Sequence, residues 1–257
     1  MGRFRFIRRA LKQVRIQSVL ASALRTPGVK INREEYLKKM LGPYYPDVTM
    51  RTVIRYNPAK AGVPRHMINR IARREINYET ARVTAASVVS TIPGGPAAIA
   101  AAIADMTAYF VFLLRVMQKL AYLYGFAEFR INADGADPET MSTIILFLGV
   151  MFGVHGSTDT LKKMTNIISR SVSKSLSKKA FTTSLDYPLV NAILTAVGLR
   201  MTRQLFADLL AAVVPVAGAA FAGFLTWVLF HPCCKRLRRQ LMEDNISDPA
   251  FYRQNAE

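Results

Sequence analysis

Acidic residues are scarce in this chain: 17 Asp and Glu stand against 35 Lys and Arg across 257 residues. The resulting net charge of +18 points to an anionic partner. Cysteine is nearly absent. Cys233 and Cys234 are adjacent and cannot make a disulfide framework, so a reducing compartment is the simpler expectation. The three histidines, His66, His155 and His231, are scattered, and none has a second ligand three or four residues away. No metal site and no cofactor is therefore expected. Nucleophile elbow, P-loop and dinucleotide fingerprint are all missing. The sequence names no reaction, and no catalytic residue is assigned.

Apolar residues make up 51% of the chain and charged residues 20%. That balance is too charged for a polytopic transporter and rather apolar for a plain soluble domain. The charge is also uneven: residues 1–82 hold 19 basic and 5 acidic side chains. Two long apolar runs follow, Val83 to Leu114 and Leu209 to Cys234. A basic front on an apolar body fits an anionic lipid surface. Nucleic acid would need the same cations, but no nucleic-acid module is visible and the apolar runs would have no role there.

Residues 3–25 carry Phe4, Ile7, Leu11, Val14 and Ala21 at helical spacing, with Arg3, Arg5, Arg8, Arg9, Lys12 and Arg15 largely on the opposite side. A basic amphipathic helix is expected. Each cation near an anionic membrane would add about 1 kcal/mol. The same pattern, Arg-rich with no acid before Glu34, resembles a mitochondrial presequence. The alternative is a helix that packs its apolar stripe on the domain and leaves its arginines in water.

Residues 26–63 are punctuated by Pro27-Gly28, Gly42-Pro43, Pro46, Pro58 and Gly62. A short helix from Asn32 to Leu41 is predicted, with Asn32 as its N-cap. Val48 to Tyr56 alternates like a strand or extended segment. From Pro64 the pattern is helical. Helices are predicted from Pro64 toward Ser90, from Pro96 to Tyr124 with Gly125 as the stop, and from Asp137-Pro138 to Phe152. Others start at Ser157 or Thr158 and at Pro188, and a short basic helix runs from Lys235 to Glu243. The Ser/Lys-rich segment 169–180 is read as a polar face or loop. The expected fold is all-α, a compact multi-helix bundle on two Pro/Gly-broken apolar hairpins. Residues 1–63 form the arm and a loop-rich region, 64–243 the helical domain, and 244–257 a polar tail.

Pro93, Gly94, Gly95 and Pro96 break the first apolar run, and Pro215 and Gly218 mark the second; both are read as hinges between packed helices. Leu209 to Phe230 would reach about 33 Å as one helix, enough to cross a bilayer. Its proline, glycines and alanines favour a buried hairpin, with re-entrant or spanning placement as alternatives.

The residues at 91–96 (Thr-Ile-Pro-Gly-Gly-Pro), Ala104-Asp105, Arg115, Ala121 to Phe126, the Asp137-Pro138 start and Val214 to Ala219 resemble the EcsC family, over about residues 64–242. Where that family often has Asn in its last helix, this chain has Thr226-Trp227. The resemblance implies a helical protein, in some members linked to a transport process. It implies no catalytic residues.

Asp105 and Asp208 are the acids in the most apolar settings, so each needs a partner or a raised pKa. Arg115, Lys119, Arg200, Arg203 and His155 are the candidate partners. After the second run, Cys233-Cys234 and then Lys235, Arg236, Arg238 and Arg239 resemble a juxtamembrane boundary where the thiols would be acylated. The expected function is a non-enzymatic, membrane-associated protein binding anionic membrane lipids through the arm and the 235–239 cluster. Its expected place is the cytoplasmic face of a membrane, possible organellar targeting standing beside it. A membrane-inserting effector, a lipid-active hydrolase using Asp105 or His155, and an organellar subunit whose arm meets a protein partner or RNA are the alternatives.

Overall fold

The computed structural model describes residues 16–89, 97–170, 186–211 and 215–255, with side-chain burial known at 16–86, 103–170, 186–201 and 226–255. Among the described residues three short helices come first: α1 (Ile16–Arg25), α2 (Arg33–Leu41) and α3 (Asp47–Arg55). Two long ones follow, α4 (Arg65–Val89) and α5 (Ala97–Leu123). A two-stranded ribbon, β1 (Ile131–Asn132) with β2 (Gly135–Ala136), leads into α6 (Pro138–Phe152) and α7 (Ser157–Arg170). Helices α8 (Tyr187–Ala211) and α9 (Pro215–Glu243) complete the body, and a 3-10 turn at Asn245–Ser247 leads into α10 (Pro249–Gln254). The fold is an all-α bundle. Among the described residues no helix is long and apolar enough to cross a membrane.

Helix α5 is the axis. It touches α1, α2, α4, α6, α8 and α9, and its side chains from Leu113 to Leu123 are buried except for half-buried Arg115. The most extensive helix pairing is α4 with α9. Tyr109 of α5 meets Phe230 of α9 edge to face at 5.5 Å, and Phe126 meets Phe147 of α6 the same way at 5.2 Å. Such pairs add about 0.5–1.5 kcal/mol beyond the area they bury.

Several ends obey local chemistry. Asn32 accepts from the Glu35 N–H at 2.9 Å and caps α2, and Asp137 accepts from Thr140 N–H at 2.8 Å ahead of Pro138. Gly125 has φ +105 just past α5, in the left-handed region glycine tolerates. A Cβ there would also stand 3.0 Å from the Ile246 carbonyl.

Residues 48–56 are not a strand: 48–55 lie in α3, with Tyr56 as its C-cap, and Met50 and Val53, three apart, share the buried face. Alternation over nine residues could not separate the two periods. What decides for the helix is Arg33, whose guanidinium donates to the carbonyls of Ile54 (2.8 Å), Tyr56 (2.9 Å) and Val53 (3.3 Å) at the end of α3. Residues 16–25 take the alternative offered for the amphipathic segment, an apolar stripe packed on the domain. Ile16, Val19, Leu20, Ala23 and Leu24 of α1 are buried with Leu37 and Val53 in the same core as α5. Of the polar tail, residues 244–255 pack on the body: Ile246 is fully buried, and Tyr252 accepts from Asn57 at 2.9 Å. The helix expected to begin at Lys235 is the last part of α9, continuous through Pro232.

The arm cations Arg3, Arg5, Arg8, Arg9, Lys12 and Arg15, the hinge Pro93 to Pro96 and most of the 169–180 segment lie outside the described residues. Pro215 opens α9, and Gly218 lies within its first turn.

Candidate functional site

On α4, Glu75, Glu79 and Arg82 recur at helical spacing on one side; on α5, Arg115 and Lys119 are four apart. The pairing of α4 with α5 brings them together. Lys119 Nζ lies 2.6 Å from Glu75 Oε2 and 2.8 Å from Glu79 Oε1, with all three side chains under a tenth exposed. Arg115 Nε and Arg82 approach Glu79 at 3.6 Å. The lysine is shared by two carboxylates, and two arginines add to the same carboxylate. This is a buried ion network at the heart of the bundle.

It forms the back of a cavity of about 710 Å³ between the 28–32 turn, α2 and α4. The turn is held by α5. Arg115 donates to the Gly28 carbonyl, and fully buried Gln118 donates to the Val29 carbonyl at 2.8 Å while accepting from Ile31 N–H at 2.9 Å. Tyr122 donates to the Ile31 carbonyl at 3.2 Å. Residues 115, 118 and 122 lie on one face of α5, so one helix fixes the whole turn. Lys30, between the two clamped residues, is exposed and faces the cavity. Six cations line the cavity against two carboxylates, Glu35 and Glu75. Tyr36, Tyr44 and Tyr78 supply its aromatic walls. Lys119 Nζ sits 5.2 Å from the Tyr78 ring centre and 5.9 Å from that of Tyr36. Burial, then the charges of Glu75 and Glu79, push the Tyr36 hydroxyl well above its usual pKa, so it stays protonated.

Arg115 and Lys119 serve the α4 glutamates; Asp105 is half-buried on α5 and engaged in an interaction of its own. His155 was a buried candidate, yet it is exposed on the α6–α7 turn. A turn between two helices leaves its side chain in water. Arg200 is exposed with its guanidinium 5.7 Å from the Phe152 ring centre. The side chains of Asp208, Arg203 and Pro215 lie outside the described residues.

The basic cluster on α9 divides by helical phase. Lys235, Arg236 and Arg239 are exposed, and Arg236 also donates to the Met151 carbonyl at 3.0 Å. Arg238 is a correction: it is buried and donates to Asn69 Oδ1, facing α4 and not a membrane. It also lies by Tyr124, whose hydroxyl burial pushes up to about 12. The thiols are a second correction. Cys233 is 5% and Cys234 0% exposed, and burial raises both thiol pKa values. Facing the core, neither sulfur is open to acylation in this fold.

Sequence reasoning missed another feature of α9. Trp227, His231, Lys235 and Arg239 are spaced by four on one face. The only tryptophan is 48% exposed, and its ring stacks on His231 at 5.4 Å with 12° between the planes. Burial, then Lys235, pull the His231 pKa below its usual value, favouring the neutral ring.

Among the described residues no group of three His, Cys, Asp or Glu side chains is placed to hold a metal ion. Compared with models of known families, with curated proteins and with solved structures, the chain matches none.

Proposed function

We propose that this chain is a non-enzymatic, membrane-associated protein that docks on anionic lipid, on the cytoplasmic face of a membrane. The observation that supports it most is the α9 face. Trp227 leads, His231 stacks behind it, and Lys235 and Arg239 follow one and two turns later. An amphipathic ring beside outward cations suits a headgroup layer, where Trp settles at the interface and Lys and Arg reach phosphates. Arg238 is tied into the bundle and Arg236 shares its exposed guanidinium with the Met151 carbonyl, so Lys235 and Arg239 are the cations of this cluster left wholly for contact. The basic residues of the arm would add to the same attraction.

Co-sedimentation with vesicles tests it. Binding should require anionic lipid, and the double charge reversal Lys235→Glu with Arg239→Glu should weaken it by about 1 kcal/mol or more per residue, roughly fivefold each. Trp227→Ala should weaken it further at constant charge. Binding indifferent to lipid charge and to all three substitutions would overturn the proposal.

A further inference from the structure

We infer that the cavity between the 28–32 turn, α2 and α4 is a binding site for a phosphomonoester, carried either on a small soluble molecule or on a lipid. The contact cations come from three separate elements: Lys30 from the turn, Lys39 from α2 and Arg74 from α4. All three are exposed, and none makes an ion pair among the described residues. They differ in this from Arg82, Arg115 and Lys119, which Glu75 and Glu79 already engage. Inside the cavity only Glu35 and Glu75 oppose the positive charge, and Lys119 already neutralises Glu75. A dianion with three acceptor oxygens suits such converging cations better than a single carboxylate does.

The frame is held firm. Residues 28–31 are clamped at three carbonyls and one N–H by Arg115, Gln118 and Tyr122. Lys39 is set by α2, whose start is fixed by the Asn32 cap. The backbone that carries Lys30 and Lys39 is therefore ordered before a ligand arrives, which lowers the entropy lost on binding. A cavity of about 710 Å³ is far larger than phosphate needs and lies in the usual range for small organic ligands. Tyr44 and Tyr78, both exposed, give the body of the ligand amphipathic walls with hydroxyl groups, and buried Tyr36 backs them. The buried ion network has a place in this design. It keeps Arg115 and Lys119 compensated at the back, so the cavity carries its unspent positive charge at the rim.

The test pairs one chemistry in two forms. Glycerol 3-phosphate is titrated calorimetrically into the full chain and into the triple variant Lys30→Ala, Lys39→Ala, Arg74→Ala. In parallel, both proteins are sedimented with vesicles holding phosphatidic acid, or phosphatidylglycerol adjusted to equal surface charge. Saturable glycerol 3-phosphate binding, weakened about tenfold or more in the variant, supports the site for a soluble ligand. Preference for phosphatidic acid at equal charge, lost in the variant, supports it for a lipid. All three residues are exposed, so folding should persist, and circular dichroism checks this. Tyr44→Ala, 59% exposed in the wild type, is a second variant expected to weaken binding without removing charge. Absence of both kinds of binding, or binding that none of these variants changes, overturns the inference. The site is separate from the α9 face: Lys235→Glu with Arg239→Glu should leave glycerol 3-phosphate binding intact, so the two can fail independently.

Discussion

Lys119→Met should be among the most damaging single changes in the bundle. Its ammonium lies 2.6 Å from Glu75 and 2.8 Å from Glu79, and the three side chains are 8%, 7% and 0% exposed. At an effective dielectric of about 20, opposite charges this close attract by roughly 6 kcal/mol before desolvation is counted. Most of that offsets the cost of burying the ions, so the assembled network contributes little net stability. Removing one member is different. Methionine fills the volume but leaves two carboxylates facing each other inside the protein, with Arg115 and Arg82 reaching only Glu79, at 3.6 Å. Breaking a buried pair in this way costs about 3–5 kcal/mol. At about 2–4 °C per kcal/mol for a chain of this size, Tm should fall by roughly 6–20 °C. Urea unfolding followed by circular dichroism gives the free energy directly. The control is the triple variant Glu75→Gln, Glu79→Gln, Lys119→Met, which removes the stranded charges and should regain most of the loss. A Lys119→Met protein within about 1 kcal/mol of wild type would refute this account. So would a triple variant as unstable as the single one.

Other outcomes follow from particular residues. Burial raises the Asp244 carboxyl from 3.8 to about 6, although it accepts from Gln240 at 2.9 Å. The native state then holds a proton that the unfolded chain releases, so this group costs nothing below about pH 4. Its cost grows as pH rises to about 6, reaching at most about 3 kcal/mol. Asp244→Asn keeps the acceptor, and urea titrations at pH 4 and 7 should find it more stable than wild type at pH 7 with the gap closing at pH 4. Gly149 of α6 has no room for a side chain: a Cβ would collide with Ser157 Oγ and come within 2.7 Å of Ile193 Cδ1. Gly149→Ala should cost about 1–3 kcal/mol, read from the urea midpoint, despite alanine's better helix propensity. Cys233 and Cys234, buried and with raised thiol pKa values, should resist a thiol-specific reagent in the native protein and react once it is unfolded. Fast native labelling would show that this part of α9 opens.

Much of the bundle could be read from the chain, because its signals are local. Asn32, Pro64, Gly125, Asp137-Pro138 and Pro188 mark helix ends through backbone geometry that the residue itself dictates, and the ends lie where those residues place them. The all-α class followed from the apolar runs and their spacing. Helix α3 was misread because nine residues suit either period, and the guanidinium that caps it comes from Arg33, outside the segment. The candidate site was half legible. Arg115 and Lys119 stood out in the sequence as candidate partners for the acids of the apolar runs. Asp105 stood nearest in sequence, yet the packing of α4 on α5 supplied Glu75 and Glu79.

The same division governs the surfaces. Sequence alone determined that the chain is basic and helical, since charge and periodicity belong to the residues themselves. Tertiary structure decided which cations remain free. Of the basic cluster at 235–239, helical phase turns Lys235 and Arg239 outward and commits Arg238 to Asn69. Of the cations around the 28–32 turn, the glutamates of α4 take Arg115 and Lys119 and leave Lys30, Lys39 and Arg74 facing the cavity. A charge is written in the sequence, but whether it is already compensated depends on what the fold sets within about 4 Å of it.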